Sequence, residues 1–261
     1  MAPPTLSSAS KGNPQPPTAL TLEPLTPSAF SPFGTAISSP FPRSLNNVPT
    51  SIPSPLHAPH QAEPVFANQN SALKTSPISS FSNNYPSKPD YAPSKPQMSM
   101  FSCFPRNISG AGIDRSTPGI ATFSVSILER HCYTTQTFSP LGLSADDKTT
   151  VFLVIVAPSL PGSATATRST GQEVTISNPP DLSRLKAFVA RGDQAVTYGP
   201  GTWHAPMVVM GQRRVDFVVT QFANGIPDDD CQEVLLGQNA VKVDLRSLRL
   251  DLPSIQGMAK L

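Results

Sequence analysis

The chain has 261 residues, including 31 prolines, and only 14% of its residues are charged, for a formal net charge of +2. Its charges are mixed and form no long basic run, so nothing in the composition indicates a nucleic-acid or anionic-membrane partner. The longest apolar run, Val151–Ala157, is far too short to span a bilayer and predicts a buried strand.

Proline, serine and asparagine are concentrated in the first part of the chain. Of the 31 prolines, 20 fall within residues 1–100, and such a segment buries too little apolar surface to offset its ordering entropy. The remaining length suffices for one good core, so we expect one domain. The predicted organisation is a disordered tail at 1–18, a domain at 19–235 with flexible insertions at about 37–63, 76–97 and 159–180, and a C-terminal tail at 236–261.

Strand patterns dominate the rest of the sequence. The first, Ala19–Leu25, precedes a short helix start in which Thr26 is the expected cap and Pro27 takes the first helical position. A more ordered segment, Phe66–Lys74, lies between the long insertions, and Pro180–Leu185 is the other short helical turn. Strand-like runs, bounded by glycine, proline or aspartate, lie at Ser99–Phe104, Ala121–Glu129, Thr134–Phe138, Val151–Val156, Ala187–Val189, Ala195–Tyr198, Met207–Val209 and Val215–Phe222. This pattern predicts an all-β fold of antiparallel strands in a sandwich or barrel.

Two ionisable residues lie at the end of one of these strands and just beyond it. Glu129 and His131 continue the alternation of Phe123, Val125 and Ile127, so we expect them on the same, buried face. A carboxylate and an imidazole in a core are costly unless they are paired or used. We therefore interpret them as part of a functional site.

Two degenerate motifs of the cupin type support this interpretation. The first is Glu129-x-His131-x4-Gln136-x5-Gly142, in which a carboxylate replaces the first histidine and an amide replaces the usual glutamate. The second is Gly199–His204 (GPGTWH), whose glycines and proline predict a tight turn that directs its histidine toward a barrel mouth. The fold class predicted is a cupin-like antiparallel β-barrel or jelly roll with few short helices and long Pro/Ser-rich loops.

This set of side chains allows two kinds of chemistry. Glu129, His131 and His204 could hold a divalent metal such as Ni, Mn, Zn or Fe, although Gln136 is a poor ligand and binding would be weak. A histidine beside a carboxylate also forms a general acid/base pair. No cofactor is firmly predicted. The competing interpretation is that each histidine is a core residue whose imidazole is hydrogen-bonded to a carbonyl group. The presence of two histidines at cupin-like positions argues against it.

Other polar residues are candidates with clear alternatives. Arg130 could grip a substrate carboxylate, but it falls on the strand face opposite Glu129. Asp216 lies in an apolar strand and could orient a site histidine, or simply face solvent. Trp203 is expected to pack as a cavity wall. His57 and His60 lie in a Pro-rich insertion and are not expected to take part in chemistry.

Cysteine usage and the chain termini bear on location. Cys103, Cys132 and Cys231 show no metal-like spacing, and their odd number suits a reducing compartment. Residues 1–20 lack the pattern of a secretory signal. Ala259–Leu261 resembles the C-terminal Ser-Lys-Leu peroxisomal address. We therefore expect an intracellular protein, either peroxisomal or cytoplasmic.

Several ordered stretches resemble one known family. The string LERHCYTTQTFSPLG resembles a signature of the ureidoglycolate lyases, and further similar stretches are PDLSRLKAFVARGDQAVTYGPGTWHAP, VDFVVTQFANG, DCQEV, PLTPSAFSPFGTAI and FANQNSALK. Together they span about 20–36, 64–75 and 98–235. The long N-terminal region and loops are more similar to fungal than to bacterial members.

The resemblance implies a cupin-like barrel, usually a homodimer, that cleaves (S)-ureidoglycolate to glyoxylate and urea in allantoin breakdown. Such an elimination needs a base at the hydroxyl group, an acid at the departing nitrogen and a cation at the carboxylate. His131 or His204 is the expected base. Glu129 is expected to tune the base or share its proton.

Substrate contacts follow from the same resemblance. Lys74 is expected to bind the substrate carboxylate, with an arginine as the less favoured candidate. Gln136 and Asn68 are expected to bind the ureido group. The chain departs from the family at Cys132, where proline is usual, and at Ala205, where bacterial members often have a second histidine. The second departure makes a metal at that position less certain.

Two other functions compete with the lyase. An amidohydrolase acting on the same substrate would release ammonia, but it usually needs a committed metal centre. A non-enzymatic cupin-type module would bind a small carboxylate without turnover. The products formed from ureidoglycolate would distinguish all three.

Overall fold

The computed structural model of the protein describes residues 2–7, 17–87, 92–106, 113–114, 122–248 and 250. Within them, strands account for most of the regular structure, so the all-β prediction is confirmed. In chain order the strands are β1 (Thr5–Leu6), β2 (Leu20–Pro24), β3 (Gly34–Ser38), β4 (Pro64–Ala67), β5 (Ala72–Thr75), β6 (Lys95–Cys103), β7 (Ile113–Asp114), β8 (Thr122–Val125), β9 (Ile127–Arg130), β10 (Gln136–Leu141), β11 (Thr150–Ala157), β12 (Ser163–Thr167), β13 (Glu173–Ser177), β14 (Lys186–Ala190), β15 (Gln194–Tyr198), β16 (Trp203–His204), β17 (Val208–Gly211), β18 (Val215–Ala223), β19 (Gln232–Leu235) and β20 (Val241–Asp244). The α-helices are α1 (Pro27–Phe30) and α2 (Pro227–Asp230), and short 3-10 turns lie at Leu182–Arg184 and Gly237–Asn239. None of the described helices has the length and apolar character needed to cross a membrane.

The strands form a large mixed sheet, a smaller antiparallel sheet and a separate hairpin. The large sheet has the order β13-β12-β1-β19-β9-β16-β11-β14-β2-β20-β8-β7, with β17 also paired to β11. The second sheet has the order β3-β15-β10-β18-β6, and within the described residues β4 pairs only with β5. The large sheet curls strongly into a half-barrel, which gives the molecule its cupin-like architecture.

Strand β11 lies at the centre of the packing because it is buried on both faces. Val151, Leu153 and Ile155 face one apolar cluster, whereas alternate residues such as Phe152 face a second cluster shared with the smaller sheet. There the rings of Phe152 and Phe217 meet edge-on at 5.1 Å. Each such buried side chain contributes roughly 1.5–3 kcal/mol relative to an exposed one. The candidate site lies beside this packed interior.

The predicted helix start after the first strand is confirmed. Pro27 opens α1, and the hydroxyl of Thr26 accepts a hydrogen bond from the amide of Ala29 at 3.2 Å. Gly34 follows with a φ of +144°, and a Cβ there would lie 2.0 Å from the carbonyl oxygen of Thr197. Only glycine therefore allows β3 to approach β15 at this point.

Three stretches predicted to be irregular contain strands. The prediction of a flexible loop at 159–180 is wrong, because β12 and β13 form a hairpin there. The 1–18 tail contains β1, which pairs with β12 and β19 and buries Leu6. The 236–261 tail contains β20, which joins β2 to β8. These strands are short and rich in small or polar residues. They are stabilised by pairing with other strands, and their own sequences carry little strand signal. The rest of both tails, at 8–16 and 251–261, lies outside the described residues.

The long insertions are mostly exposed but contain ordered contacts. Residues 82–85 pair with 133–135 beside the candidate site. The ordered segment between the insertions is the β4–β5 hairpin, whose tip residues Asn68, Gln69 and Asn70 all have positive φ. Asparagine tolerates this conformation better than most residues, which explains the Asn-rich sequence at the tip.

Candidate active site

Glu129 and His204 meet across two neighbouring strands of the large sheet. They are direct register partners in the antiparallel pair β9–β16. The Nε2 atom of His204 lies 3.3 Å from Oε1 of Glu129, and the imidazole is 1% exposed. The sheet therefore brings together a carboxylate and an imidazole that are 75 positions apart in the sequence.

The strand that delivers Glu129 is interrupted, which corrects the expected alternation. β8 ends at Val125 and β9 begins at Ile127, and both Val125 and Leu128 pack into the same apolar cluster. The period of two is lost at Ser126, so Glu129 does not share the face of Val125 as predicted. Leu128 faces the large core, and Glu129 faces the site.

His131 follows β9 and is 5% exposed. Its Nδ1 donates a short hydrogen bond to the carbonyl oxygen of Asp230, and its Nε2 has no hydrogen-bond partner among the described residues. Burial, with the nearby charge of His204, lowers the pKa of His131 to about 4. At neutral pH this imidazole is uncharged, with a free lone pair on Nε2.

The ring of His204 is held from two sides. It stacks on the ring of Tyr198, with centroids 3.9 Å apart and an angle of 11° between the planes. Its Nδ1 lies 3.2 Å from the carbonyl oxygen of Thr202. The ring of His131 is the next aromatic neighbour, at 5.5 Å. These contacts direct Nε2 of His204 toward Glu129.

The turn before His204 is fixed by three backbone-directed contacts. The carbonyl oxygen of Phe33 accepts hydrogen bonds from the amide of Gly199 at 2.8 Å and the hydroxyl of Thr202 at 3.0 Å. The amide of Gly201, which has a φ of +78°, donates to the carbonyl oxygen of His131 at 2.8 Å. The turn therefore connects the two histidine-bearing segments directly.

The carboxyl group of Glu129 is ionised in this environment. Burial acts to raise the pKa of Glu129, but His204 and His131 together outweigh it and hold the pKa below its ordinary value. The thiol of Cys231 lies 4.0 Å from Oε2 of Glu129, and burial raises the pKa of Cys231 to about 12. The site thus contains a carboxylate beside a neutral thiol.

Gln136 borders the two histidines from the smaller sheet. Its Nε2 donates to Oε1 of Gln221 at 2.7 Å, across the β10–β18 pair. Its own Oε1 is buried without a hydrogen-bond partner among the described residues. The side chain of Gln136 also acts to raise the pKa of His131, against the larger effect of burial. The free oxygen can accept a hydrogen bond from a ligand.

The same residues satisfy the geometric requirements of a divalent-metal site. Ligand atoms of Glu129, His131 and His204 all lie within 4.8 Å of one another. Both imidazoles face a main-chain carbonyl through Nδ1; Nε2 of His131 is buried without a hydrogen-bond partner among the described residues, and Nε2 of His204 lies 3.3 Å from Oε1 of Glu129. An Nδ1–H donated to a carbonyl leaves the lone pair on Nε2, as in metal-binding histidines. The triad therefore fits a metal such as Ni, Mn, Zn or Fe.

Other predicted site residues lie apart from this triad. The guanidinium of Arg130 is buried over the ring of Trp203, 4.5 Å from its centroid, and donates to the carbonyl groups of Ser177 and Asn178. Lys74 and Asn68 lie on the β4–β5 hairpin, and no described hydrogen bond or ion pair joins either to the triad.

The interpretation of Asp216 as the residue that orients His204 is corrected. Its carboxylate pairs with Arg214 at 2.9 Å, and it lies on the face of β18 opposite the buried Val215 and Phe217. The carbonyl group of Thr202 occupies the orienting position instead. The two insertion histidines predicted to be irrelevant are exposed.

Five residues of the site did not emerge as functional from the sequence. They are Tyr198, Thr202, Gln221, Asp230 and Cys231. Tyr198 could have been found, because it lies on a predicted strand just before the GPGTWH turn. Asp230 and Gln221 have no such signal, since their roles depend on a carbonyl group and on strand register.

Lowering the pH from 7 to 5 is expected to destabilise the chelator-treated protein more than a His131→Gln variant. Between the folded pKa of about 4 and the ordinary value of 6.5, the unfolded chain binds a proton that the folded protein does not. Stability therefore rises with pH through this window, and the extra loss at pH 5 is about 2 kcal/mol. Urea unfolding at both pH values measures it. Equal losses in the two proteins would contradict a depressed pKa at His131.

Comparisons with known proteins show which family the chain belongs to. A family model described as ureidoglycolate lyase matches residues 17–244. The chain is 36% identical over 171 residues to the ureidoglycolate lyase of Saccharomyces cerevisiae, which covers 64% of this chain and 75% of that one. It is 31% identical over 208 residues to that of Schizosaccharomyces pombe, covering 80% and 86%. A ureidoglycolate lyase of Escherichia coli K12 is 33% identical over 106 residues, covering 41% and 51%. Because the family model spans most of the sequence, including every residue of the triad, the chain belongs to the ureidoglycolate lyase family of enzymes.

Proposed function

We propose that the protein cleaves (S)-ureidoglycolate to glyoxylate and urea, in allantoin and purine catabolism, by general acid/base elimination. The observation that carries this proposal is the free Nε2 of neutral His131 beside the Glu129–His204 pair, in a chain of the ureidoglycolate lyase family. A buried acceptor next to a potential donor supplies both proton transfers that the reaction needs.

The reaction is balanced by two proton transfers. The substrate carbon carries a hydroxyl group, a carboxylate and the ureido nitrogen. Removal of the hydroxyl proton lets the C–O bond become a carbonyl group, while the C–N bonding electrons leave with nitrogen. Nitrogen then takes a proton, which gives urea and glyoxylate without an oxidant, reductant or water.

We assign the two transfers to different side chains of the triad. Nε2 of His131 accepts the hydroxyl proton, because its lone pair is free and Nδ1 is already committed to Asp230. His204 delivers a proton to the departing nitrogen, because the carboxylate of Glu129 at 3.3 Å favours a hydrogen on the facing Nε2. Glu129 lies against this nitrogen and orients the ring of His204 for the transfer.

The substrate's other groups have candidate partners. The free Oε1 of Gln136 suits an N–H of the ureido group. We assign Lys74 as the cation that binds the substrate carboxylate and Asn68 as a second contact to the ureido group. Both assignments rest on the family resemblance, and that of Lys74 also on its charge. A Lys74→Met variant with raised KM and little change in kcat would support this role, and an unchanged KM would refute it.

One coupled assay tests the reaction. Purified protein is incubated with ureidoglycolate, and glyoxylate is followed together with urea and ammonia. Glyoxylate with an equimolar amount of urea supports the lyase. Ammonia in place of urea would show an amidohydrolase, and binding without either product would show a non-enzymatic carboxylate-binding module.

A metal held by the triad would use the same three side chains. A divalent ion at Glu129, His131 and His204 would supply a Lewis acid near the substrate hydroxyl.

We expect micromolar Ni²⁺, Mn²⁺ or Zn²⁺ to raise the Tm of chelator-treated protein by about 5 °C when the ion concentration is well above its Kd. The shift should vanish in His204→Ala and persist in the matched control His60→Ala. A shift that survives in His204→Ala would place the ion elsewhere. Comparing turnover of chelator-treated and metal-loaded protein then shows whether the triad acts through a metal or by acid/base catalysis alone.

We also propose that the protein forms a homodimer through β6. This strand ends the smaller sheet, and within the described residues it has a partner strand only on its β18 side. Met98 and Met100, which share one face of the strand, are 73% and 54% exposed, and Phe101 on the other face is 47% exposed. A second copy of β6, paired antiparallel about a twofold axis, would satisfy the free edge and bury these residues.

Light scattering after gel filtration tests the dimer. The wild type should show twice the chain mass of 27.7 kDa, and Met100→Glu should shift toward the monomer. Val48→Glu, which changes an equally exposed apolar residue in an insertion, should leave the mass unchanged. A monomeric wild type would refute the proposal.

The C-terminal tripeptide supports peroxisomal import. Ala259–Leu261 lies outside the described residues, so the proposal rests on the resemblance of these three residues to the Ser-Lys-Leu address. A fluorescent protein fused to the last ten residues should collect in peroxisomes. The same fusion without Leu261 should stay in the cytoplasm, and identical cytoplasmic signals for both would refute import.

A further inference from the structure

A segment of the second insertion borders the active site. The amide of Asn84 donates to the carbonyl oxygen of Tyr133 at 2.7 Å, and the amide of Ser82 donates to the hydroxyl of Thr135 at 3.0 Å. The hydroxyl of Thr134 in turn donates to the carbonyl oxygen of Ser82 at 3.1 Å. This segment is therefore fastened to the short stretch between His131 and Gln136.

Tyr85 extends from this segment to the carboxylate of Asp230. Its hydroxyl donates to Oδ1 of Asp230 at 2.6 Å, and its ring packs against that of Tyr133, with centroids 5.2 Å apart. Burial and the Asp230 charge raise the pKa of Tyr85. The hydroxyl is therefore a neutral donor at all working pH values.

The carboxylate of Asp230 closes the loop before β19. Its Oδ1 also accepts the amide of Asn224 at 2.8 Å, and its Oδ2 accepts the amide of Gly225 at 2.8 Å. With Tyr85, three donors fix one side chain at the end of α2. The backbone at Asp230 is consequently held in place by its own side chain.

The same residue holds the active-site imidazole through its main chain. The carbonyl oxygen of Asp230 accepts the Nδ1 hydrogen of His131, and Nε2 on the other side of the ring is free. A displacement of this carbonyl group rotates the ring or changes its tautomer. Misplacement of a reacting atom by about 1 Å can cost about 10²-fold in rate.

We propose that Tyr85 is a positioning residue that acts through Asp230 to fix the orientation and tautomer of His131. The insertion that carries Tyr85 is then part of the active-site framework. The expected effect on turnover rests on the proposed function of His131, whereas the effect on the ring does not.

Tyr85→Phe removes the hydroxyl and keeps the ring, so it tests the proposal with little risk to folding. We expect kcat to fall about tenfold, as for other residues that orient an active-site histidine, with KM within about twofold of wild type. The matched control is Tyr133→Phe, which removes a hydroxyl from the facing ring; the hydrogen bonds described for Asp230 do not include Tyr133. Tm should change little in either variant.

A second measurement needs no substrate. Long-range ¹⁵N–¹H spectra of histidine-labelled protein report the tautomer of His131. The wild type should show a single Nδ1–H form, and Tyr85→Phe a mixture of both forms. An unchanged kcat in Tyr85→Phe overturns the proposal, and so do unchanged His131 signals. If wild type lacks turnover, the proposed function fails, and the spectra alone still decide whether Tyr85 positions His131.

Discussion

Purified His131→Ala protein is expected to turn over ureidoglycolate about 10²–10⁴-fold more slowly than wild type, which is the usual contribution of a positioned general base. The reason is local. Nε2 of His131 is a buried acceptor without a hydrogen-bond partner among the described residues. Nδ1 of the same ring already donates to the carbonyl oxygen of Asp230. His204 and Glu129 face each other and cannot replace it without breaking their own contact.

The kinetic pattern distinguishes loss of the base from loss of binding. We expect kcat and kcat/KM to fall together, because proton transfer occurs in the transition state. The matched control is His57→Ala, which removes an exposed imidazole from the first long insertion and should leave both constants unchanged. Folding is checked by circular dichroism and Tm. A folded His131→Ala protein with full turnover would eliminate His131 as the base.

His204→Ala is expected to give a comparable loss for a different reason. Without His204, the carboxylate of Glu129 loses the main group that keeps its pKa low, and burial then favours the protonated acid. A protonated Glu129 could itself donate to nitrogen, so part of the activity should return at lower pH. Activity of His204→Ala that is flat with pH would argue against this exchange of roles.

The sequence predicted the elements with a strong local pattern. The continuous apolar run at Val151–Val156 is β11, and the Thr26–Pro27 start is α1, because burial on both faces and capping are both properties of adjacent residues. β12, β13 and β20 were missed, since their strand character depends on remote partners. Pairing between distant segments cannot be found from a period of two alone.

The site shows the same division. Glu129, His131 and His204 could be identified from their spacing, although the interruption at Ser126 changed the face on which Glu129 lies. The role of Asp230 lies in its carbonyl group, which every residue has, so the sequence contains no signal for it. Of the two roles considered for Asp216, orienting His204 does not fit the structure, because strand alternation separates this carboxylate from the site.

Arg130 is a substrate-binding candidate from the sequence. Its environment in the structure instead predicts a large contribution to the stability of the fold. The guanidinium makes hydrogen bonds of 2.7 Å to the carbonyl oxygen of Asn178, 2.6 Å to that of Ser177 and 2.8 Å to Oε1 of Gln232. It also lies 4.5 Å above the ring of Trp203. Burial lowers the pKa of Arg130, but guanidinium groups remain charged in proteins. One side chain thus joins β9, β19 and the end of β13.

Arg130→Ala is therefore expected to lower the free energy of unfolding by about 3 kcal/mol, because it removes several charge-assisted hydrogen bonds of a buried guanidinium and its contact with the ring of Trp203. The corresponding loss in Tm is roughly 6–12 °C for a protein of this size. Arg130→Lys should recover only part of it, since an ammonium cannot match the planar fork. The matched control Arg184→Ala removes an exposed arginine and should change stability by less than about 0.5 kcal/mol.

Kinetics of the same variant separate the two roles of Arg130. If the guanidinium only joins strands, KM for ureidoglycolate measured well below the variant's Tm should stay within about twofold of wild type. If it instead gripped the substrate carboxylate, KM would rise strongly while unfolding stayed near wild type. The structural role is favoured because the donors of Arg130 are already used by Ser177, Asn178 and Gln232, so binding a carboxylate would require breaking hydrogen bonds that hold three strands together.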